Sequence, residues 1–290
     1  HILCTEDLYG GTVRMFESIG EKRGVTFSYV DTSDAELVRK SIRKETKALY
    51  IETPSNPTMK VTDFAAMREI ADEYGLLIIA DNTFLTPYFQ KPLTLGADLV
   101  VHSGTKFLGG HNDVLAGFVC VKEKVLSEKL RYTYKTVGCC LPPFDSFLVL
   151  RGIKTLSVRL ERQQENAKKI ALWLKNRPEV KEVYYTGLSE HPGYEINQKQ
   201  ASGCGSMISF KVDSEKRARK LLESVKLISY AESLGGVESL ITYPMLQTHG
   251  DVPVETRERL GITEDFLRMS VGIENAEDLI ADLEQALAEE

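Results

Sequence analysis

The sequence predicts an α/β fold in which a large domain with a mostly parallel sheet is followed by a smaller α+β C-terminal domain. Short apolar segments in the first half, such as Leu-Leu-Ile-Ile-Ala at 76–80, carry no polar alternation, the mark of strands buried on both faces. Segments of helical periodicity separate them, as in a sheet built from parallel crossovers. Beyond about residue 160 the apolar segments become shorter and alternate more, which fits a sheet with helices on one face.

In chain order, residues 2–4 read as a strand, followed by the loop Asp-Leu-Tyr-Gly-Gly-Thr at 7–12 and a helix over 13–22. A strand over 25–30 precedes a helix over 34–43 that keeps Ala35, Val38 and Ile42 on one face. The apolar strand Ala48–Glu52 stops at Thr-Pro-Ser-Asn-Pro, where two prolines forbid continued pairing. A helix over 63–74 leads into the strand 76–80, which ends on Asp81, and strands over 99–102 and 118–121 follow. One long proline-free helix over 146–175 carries the chain out of the first domain. Strands over 180–185, 206–212 and 228–231, an apolar strand through Arg268, and helices over Glu215–Ser224 and 276–287 make up the second. The expected boundary lies near residue 160, giving domains of residues 1–160 and 161–290.

The 290 residues hold 36 Lys and Arg against 42 Asp and Glu, a formal net charge of −6 that leaves no basic footprint for nucleic acid. No apolar run is long enough to cross a bilayer, so no membrane partner, a cytoplasmic location and small-molecule chemistry are expected. Cys4, Cys120, Cys139, Cys140 and Cys204 lack metal-type spacing. The adjacent Cys139 and Cys140 read as two buried or half-buried thiols, because a vicinal bridge is strained and the cytosol is reducing. The opening His-Ile-Leu-Cys-Thr-Glu-Asp reads as the inside of a strand and the turn after it, so an N-terminal portion is expected to be missing.

The stretch at 98–113 joins a buried strand to a glycine-rich loop that carries Ser103, Thr105 and Lys106. Strand ends in α/β sheets face the ligand crevice, so Lys106 suits a phosphate-bearing carbonyl cofactor held as a Schiff base; a solvated surface lysine is the plain alternative. Asp81 ends the most apolar strand, where a carboxylate either faces a positive group such as a pyridinium nitrogen or caps the next helix. Tyr9, in its glycine turn, either stacks on a flat cofactor or covers the sheet edge. Arg268 lies in the apolar Phe-Leu-Arg-Met-Ser-Val-Gly, where it forks a substrate carboxylate or makes a structural ion pair. Asn56, Asp81 and Lys106 all end strands that open on one crevice, which makes them a candidate site. His102, His111, His191 and His249 show neither metal-ligand spacing nor a nucleophile partner and read as structural or supporting. A non-catalytic α/β module that binds a nucleotide or scaffolds a partner is the contrasting class, and the lack of a G-x-G-x-x-G or P-loop motif weighs against its nucleotide version.

Six motifs carry a family resemblance: Asp-Leu-Tyr-Gly-Gly-Thr at 7–12, Glu-Thr-Pro-Ser-Asn-Pro-Thr at 52–58, Asp-Asn-Thr-Phe at 81–84, His-Ser-Gly-Thr-Lys-Phe-Leu-Gly-Gly-His at 102–111, Glu-Ser-Leu-Gly-Gly-Val-Glu-Ser at 232–239 and Arg-Met-Ser-Val-Gly at 268–272. Essentially the whole chain resembles the pyridoxal-phosphate enzymes of cysteine and methionine metabolism, which include cystathionine synthases and lyases, methionine γ-lyase and acyl-homoserine thiol-lyases. The resemblance implies the type I fold of PLP-dependent transferases, pyridoxal 5′-phosphate as cofactor, amino-acid substrates and a homotetramer. It implies that Lys106 forms the Schiff base, Asp81 pairs with the pyridine nitrogen, Tyr9 stacks on the ring, and Asn56 contacts the phenolic oxygen and the substrate. Ser103 and Thr105 then hold the phosphate, while Arg268, with Asn56 and Ser233, holds the substrate α-carboxylate.

Leu-Pro-Pro-Phe-Asp at 141–145, Ala231-Glu232 and Thr-Tyr-Pro-Met-Leu-Gln-Thr-His at 242–249 resemble the γ-synthase and acyl-homoserine thiol-lyase branch. They imply a γ-replacement that joins an O-acylhomoserine to cysteine or sulfide. Cystathionine β- or γ-lyase, or methionine γ-lyase, is the alternative, since a few pocket residues decide between these outcomes on one scaffold. Family members also carry an N-terminal segment that supplies a phosphate loop and a Tyr/Arg pair reaching a neighbouring subunit, so residues 1–290 by themselves are expected to bind cofactor poorly.

Overall fold

A computed structural model describes residues 1–247, 250 and 254–288 of the chain; His249, at the end of the 242–249 segment, lies outside them. The first sheet contains β1 (Ile2–Thr5), β2 (Phe27–Val30), β3 (Ala48–Glu52), β4 (Leu77–Asp81), β5 (Leu99–Ser103) and β6 (Gly117–Val121), in the order β2-β1-β3-β4-β5-β6. The first five strands are parallel and β6 runs antiparallel to β5. Leu49, Ile51, Ile78, Ala80 and Val100 meet Phe64, Met67 and Ile70 of helix Phe64–Tyr74 in one core, as the unbroken apolar runs require. That helix starts where the Asp63 side chain accepts from the amides of Ala65 and Ala66, and it stops at Gly75, whose φ of 66° suits glycine.

The second sheet contains β7 (Val180–Tyr184), β8 (Met207–Val212), β9 (Ser229–Tyr230), β10 (Leu240–Thr242) and β11 (Phe266–Ser270), in the order β7-β8-β11-β10-β9. All neighbours are antiparallel except β9 and β10. Its inner face packs on helices Leu156–Lys175, Glu215–Ser224 and Ala276–Ala288 through Ile170, Leu174, Phe210, Leu221, Leu267 and Leu283.

The expected single helix over 146–175 is two helices, Pro143–Ile153 and Leu156–Lys175. The Gly152 carbonyl accepts from the Thr155 amide at 3.1 Å, the Thr155 hydroxyl at 3.1 Å and Arg159 Nη2 at 3.0 Å, which turns the chain out of the helical ladder. Only glycine fits at 152, because a Cβ there would stand 2.2 Å from the Gly109 carbonyl oxygen. The boundary expected near residue 160 falls inside the second of these helices. That helix carries a buried polar stripe of Arg159, Gln163 and Asn166. Gln163 donates to the Gly236 carbonyl at 2.7 Å, and Asn166 donates to those of Gly272 and Glu274 at 3.1 and 2.8 Å.

Two other segments depart from expectation. The helix foreseen over 13–22 is α-helical only over Gly10–Met15, continuing as a wider turn over Phe16–Gly20 and a tighter one over Glu21–Arg23. A helix at Lys124–Val137, capped by the Glu123 carboxylate, was not foreseen; it buries none of its residues. Cys139 and Cys140 follow it on the surface and are exposed, not half-buried, because this helix carries no side chain into a core. Among the described residues no helix is long and apolar enough to cross a membrane.

Candidate active site

The ends of β3, β4 and β5 and the turn after β1 open on one cavity of about 190 Å³, closed from the second sheet by Ser233 and Arg268. Every residue expected at the site lines it: Tyr9, Asn56, Asp81, Ser103, Thr105, Lys106, Ser233 and Arg268. Glu52, Thr83 and Glu232 line it too and were not singled out as site residues. Glu52 carried the signal that picked Asp81, a carboxylate ending a wholly buried strand.

Lys106 sits at a kink in the turn Gly104–Leu108, directly after β5, where its backbone (φ −91°, ψ −128°) leaves the helical region. Its Nζ lies 2.9 Å from Ser233 Oγ. Burial, reinforced by the Arg268 charge and opposed by Glu232, pushes the amine down to about 8. Ser233 has φ 84°, a left-handed backbone that non-glycine residues seldom adopt, and the loop behind it presses on the lysine turn. A Cβ on Gly235 would stand 2.6 Å from the Phe107 amide nitrogen.

Arg268 projects from β11 and is 1% exposed. Nη1 donates to Asn56 Oδ1 at 2.7 Å, while Nη2 donates to the Ser233 carbonyl and to Thr242 Oγ1, both at 3.1 Å. Nε has no partner, and no carboxylate of the described residues pairs with the guanidinium. Burial pulls it down to about 10, against the charges of Glu232 and Glu52. A buried cation without an ion pair needs an anion. The structural ion pair weighed from the sequence is therefore absent among the described residues.

The carboxyls form the opposite pole. Asp81 Oδ1 accepts from the Thr83 amide at 3.0 Å and from its hydroxyl at 2.6 Å, and Oδ2 has no partner among the described residues. Burial raises Asp81, with both Thr83 bonds opposing the shift. Glu52 stands opposite Asp81 in the β3–β4 register and is held well above the usual carboxyl range, first by burial and then by the Asp81 charge. Its Oε2 accepts from the Tyr9 amide at 3.0 Å. The Tyr9 ring is half exposed and folds over Gly11, where a Cβ would be 2.4 Å from the ring. The Ser103 hydroxyl has no partner among the described residues, and Thr105 Oγ1 accepts from the Ala116 amide at 3.1 Å.

The histidines stand apart from this chemistry. His102 is buried in β5, His111 Nδ1 lies 2.8 Å from the Gly109 carbonyl, and His191 Nδ1 accepts from the Gly193 amide. Burial lowers His102 and His191 and favours their neutral forms.

The sequence profile of the Cys/Met metabolism PLP-dependent enzymes matches residues 1–288. The chain belongs to that family. It is 52% identical over 287 residues to cystathionine gamma-lyase of Bacillus subtilis (strain 168), covering 99% of this chain and 76% of that protein. Identity is 47% to cystathionine beta-lyase MetC of the same organism, over 100% of this chain and 74% of the relative. It is also 47% to the cystathionine gamma-synthase/O-acetylhomoserine (thiol)-lyase of that organism, over 99% and 73%. Cystathionine gamma-lyase from Lactobacillus plantarum, solved in complex with L-serine, superposes with a TM-score of 0.97 at 44% identity, covering 99% of this chain and 76% of that one. The fold is accordingly type I of the PLP-dependent enzymes, and the cofactor of this family is pyridoxal phosphate. The donor set suits it: a buried amine, a carboxylate oxygen of Asp81 and a Ser103 hydroxyl without partners among the described residues, and a guanidinium without an ion pair among them, share one cavity.

Proposed function

We propose that the chain cleaves the C–S bond of cystathionine or a closely similar thioether amino acid. The observation that carries this reading is the meeting of Lys106, Asp81 and Arg268 in one cavity; the choice of a thioether is supported by the 52% identity to a γ-lyase and 47% to a β-lyase. Pyridoxal phosphate, when bound, withdraws electrons from the substrate Cα. Ser103 and Thr105 would hold its phosphate, Lys106 would anchor its carbonyl carbon, Tyr9 would cover a ring face, and Asn56 would reach its phenolic oxygen. Asp81 Oδ2 would hold a proton at the ring nitrogen. Arg268, with Asn56 and Ser233, orients the substrate α-carboxylate, and its fork is already aimed by Asn56 and Thr242. Once the substrate's own amine takes its place on the cofactor, the Lys106 amine, which burial pushes down to about 8, would take a proton from Cα and return it later, guided by Ser233.

A γ-replacement joining an O-acylhomoserine to cysteine or sulfide is the second reading, favoured by the relative that carries both of those names. A substrate panel separates the two. Cystathionine alone is expected to yield a thiol, ammonia and a 2-oxo acid, pyruvate for cleavage at Cβ or 2-oxobutanoate at Cγ. Turnover only when an O-acylhomoserine and a thiol are both supplied would replace the lyase reading with the transferase one.

Arg268→Lys is expected to raise KM for the amino acid roughly 10- to 100-fold with a smaller change in kcat, because an ammonium cannot reproduce the fork. An unchanged KM removes Arg268 from the carboxylate site.

We also propose that the chain acts as a homo-oligomer, as family resemblance to homotetramers implies. Phe144, Phe147 and Leu150 on helix Pro143–Ile153 are 69%, 57% and 64% exposed and lie at helical spacing on one face, which a single chain leaves wet. Sedimentation equilibrium should return at least twice the chain mass, and a monomer at micromolar concentration rejects the assignment.

A further inference from the structure

Glu52 is a carboxyl in the cavity wall whose partner is the backbone amide of Tyr9. β3 and β4 pair in parallel with Glu52 opposite Asp81, so both carboxyls leave the sheet at the same edge. Glu52 Oε2 reaches across to β1's outgoing turn and accepts from the Tyr9 amide at 3.0 Å. On its other side the Tyr9 carbonyl accepts from the amides of Thr12 and Val13 at 2.8 and 3.3 Å. No side chain caps helix Gly10–Met15, so the Tyr9 peptide is pinned by Glu52 on one face and by the first helical turn on the other. Gly11 lies under the ring, where a Cβ would stand 2.4 Å from it, so the ring lies directly on the turn that Glu52 holds.

The charge distribution follows from the same contacts. Asp81 on β4, Asp7 in the turn after β1 and Arg268 on β11 are the charged groups around Glu52, and no ion pair joins Arg268 to it. Both Thr83 donors go to Asp81. Two neighbouring buried carboxyls do not ionise together without a large cost, and the one given more donors keeps the charge.

We infer that Glu52 is a positioning residue, a neutral carboxyl that fixes the Tyr9 backbone so that the ring meets the cofactor, while Asp81 alone bears the negative charge. The inference rests on the assignment of Tyr9 to the cofactor ring made above.

The test is the dissociation constant for pyridoxal phosphate, measured by equilibrium dialysis of the full chain between pH 6 and 9, for Glu52→Gln, Glu52→Ala and Tyr9→Leu. Glu52→Gln keeps an acceptor oxygen without a charge and should weaken binding no more than about threefold, with a pH profile parallel to the parent. Glu52→Ala loses the acceptor and should weaken it about tenfold. Equal losses in both, no loss in Glu52→Ala, or a Glu52→Gln profile that diverges from the parent each overturn the inference; the profile decides even where Glu52→Ala does not fold. An unchanged constant in Tyr9→Leu overturns the site reading and the inference with it. A loss in Tyr9→Leu beside a Glu52 failure overturns the inference alone.

Discussion

Lys106→Ala is expected to lower kcat for thioether cleavage by roughly 10³-fold or more, the range for removal of a general acid–base group. Lys106 is the only amine lining the cavity among the described residues, so no neighbouring lysine can stand in for it. Burial with Arg268 beside it brings the amine down to about 8, and the neutral form is the base. Activity in the parent should therefore rise with pH through this value, and the residual activity of Lys106→Ala should lose that rising limb. A small primary amine added to the variant should restore part of the rate. A variant retaining a tenth of the parent kcat would remove Lys106 from proton transfer.

Asp81→Asn is expected to lower kcat by roughly 10²-fold or more while cofactor stays bound, the penalty for leaving a buried positive group without its counter-charge. The substitution is informative because it is confined to charge. Asparagine retains the Oδ1 that accepts from the Thr83 amide and hydroxyl, so the turn after β4 keeps both bonds. Only the unpaired oxygen changes, from an anion to an amide that cannot hold a proton at a ring nitrogen. Single-turnover kinetics would separate a slowed chemical step from slowed release, and full activity refutes the pairing with the cofactor ring.

Lys106 was legible as a cavity-lining position because a glycine-rich loop carries it just past the end of β5, and Asp81 because a charged group ending an apolar strand is costly unless something faces it. The same signal marked Arg268, within the wholly buried β11. Glu52 shows that the signal was present and passed over, since it too ends an apolar strand and that strand is buried throughout. The helix Lys124–Val137 was not legible: with no residue buried, it has no core-facing stripe for periodicity to reveal. The break before Leu156 depends on what lies against Gly152, namely the backbone of Leu108 and Gly109, and such long-range proximity has no local signature. Substrate choice was less legible. The γ-replacement reading leaned on 141–145, on Ala231-Glu232 and on 242–249, of which Glu232 alone lines the cavity among the described residues, and the lyases among the relatives support cleavage better.

The stripe on helix Leu156–Lys175 has a consequence for how such an enzyme diversifies. Arg159, Gln163 and Asn166 grip the carbonyls of Gly152, Gly236, Gly272 and Glu274, atoms that every amino acid supplies. Three of the four moored positions are glycines where a Cβ would stand 2.2–2.3 Å from a neighbouring atom, so the moored points themselves admit no side chain. Diversification is thereby confined to the residues between them, while the backbone contacts that place the lysine turn and the arginine strand stay as they are.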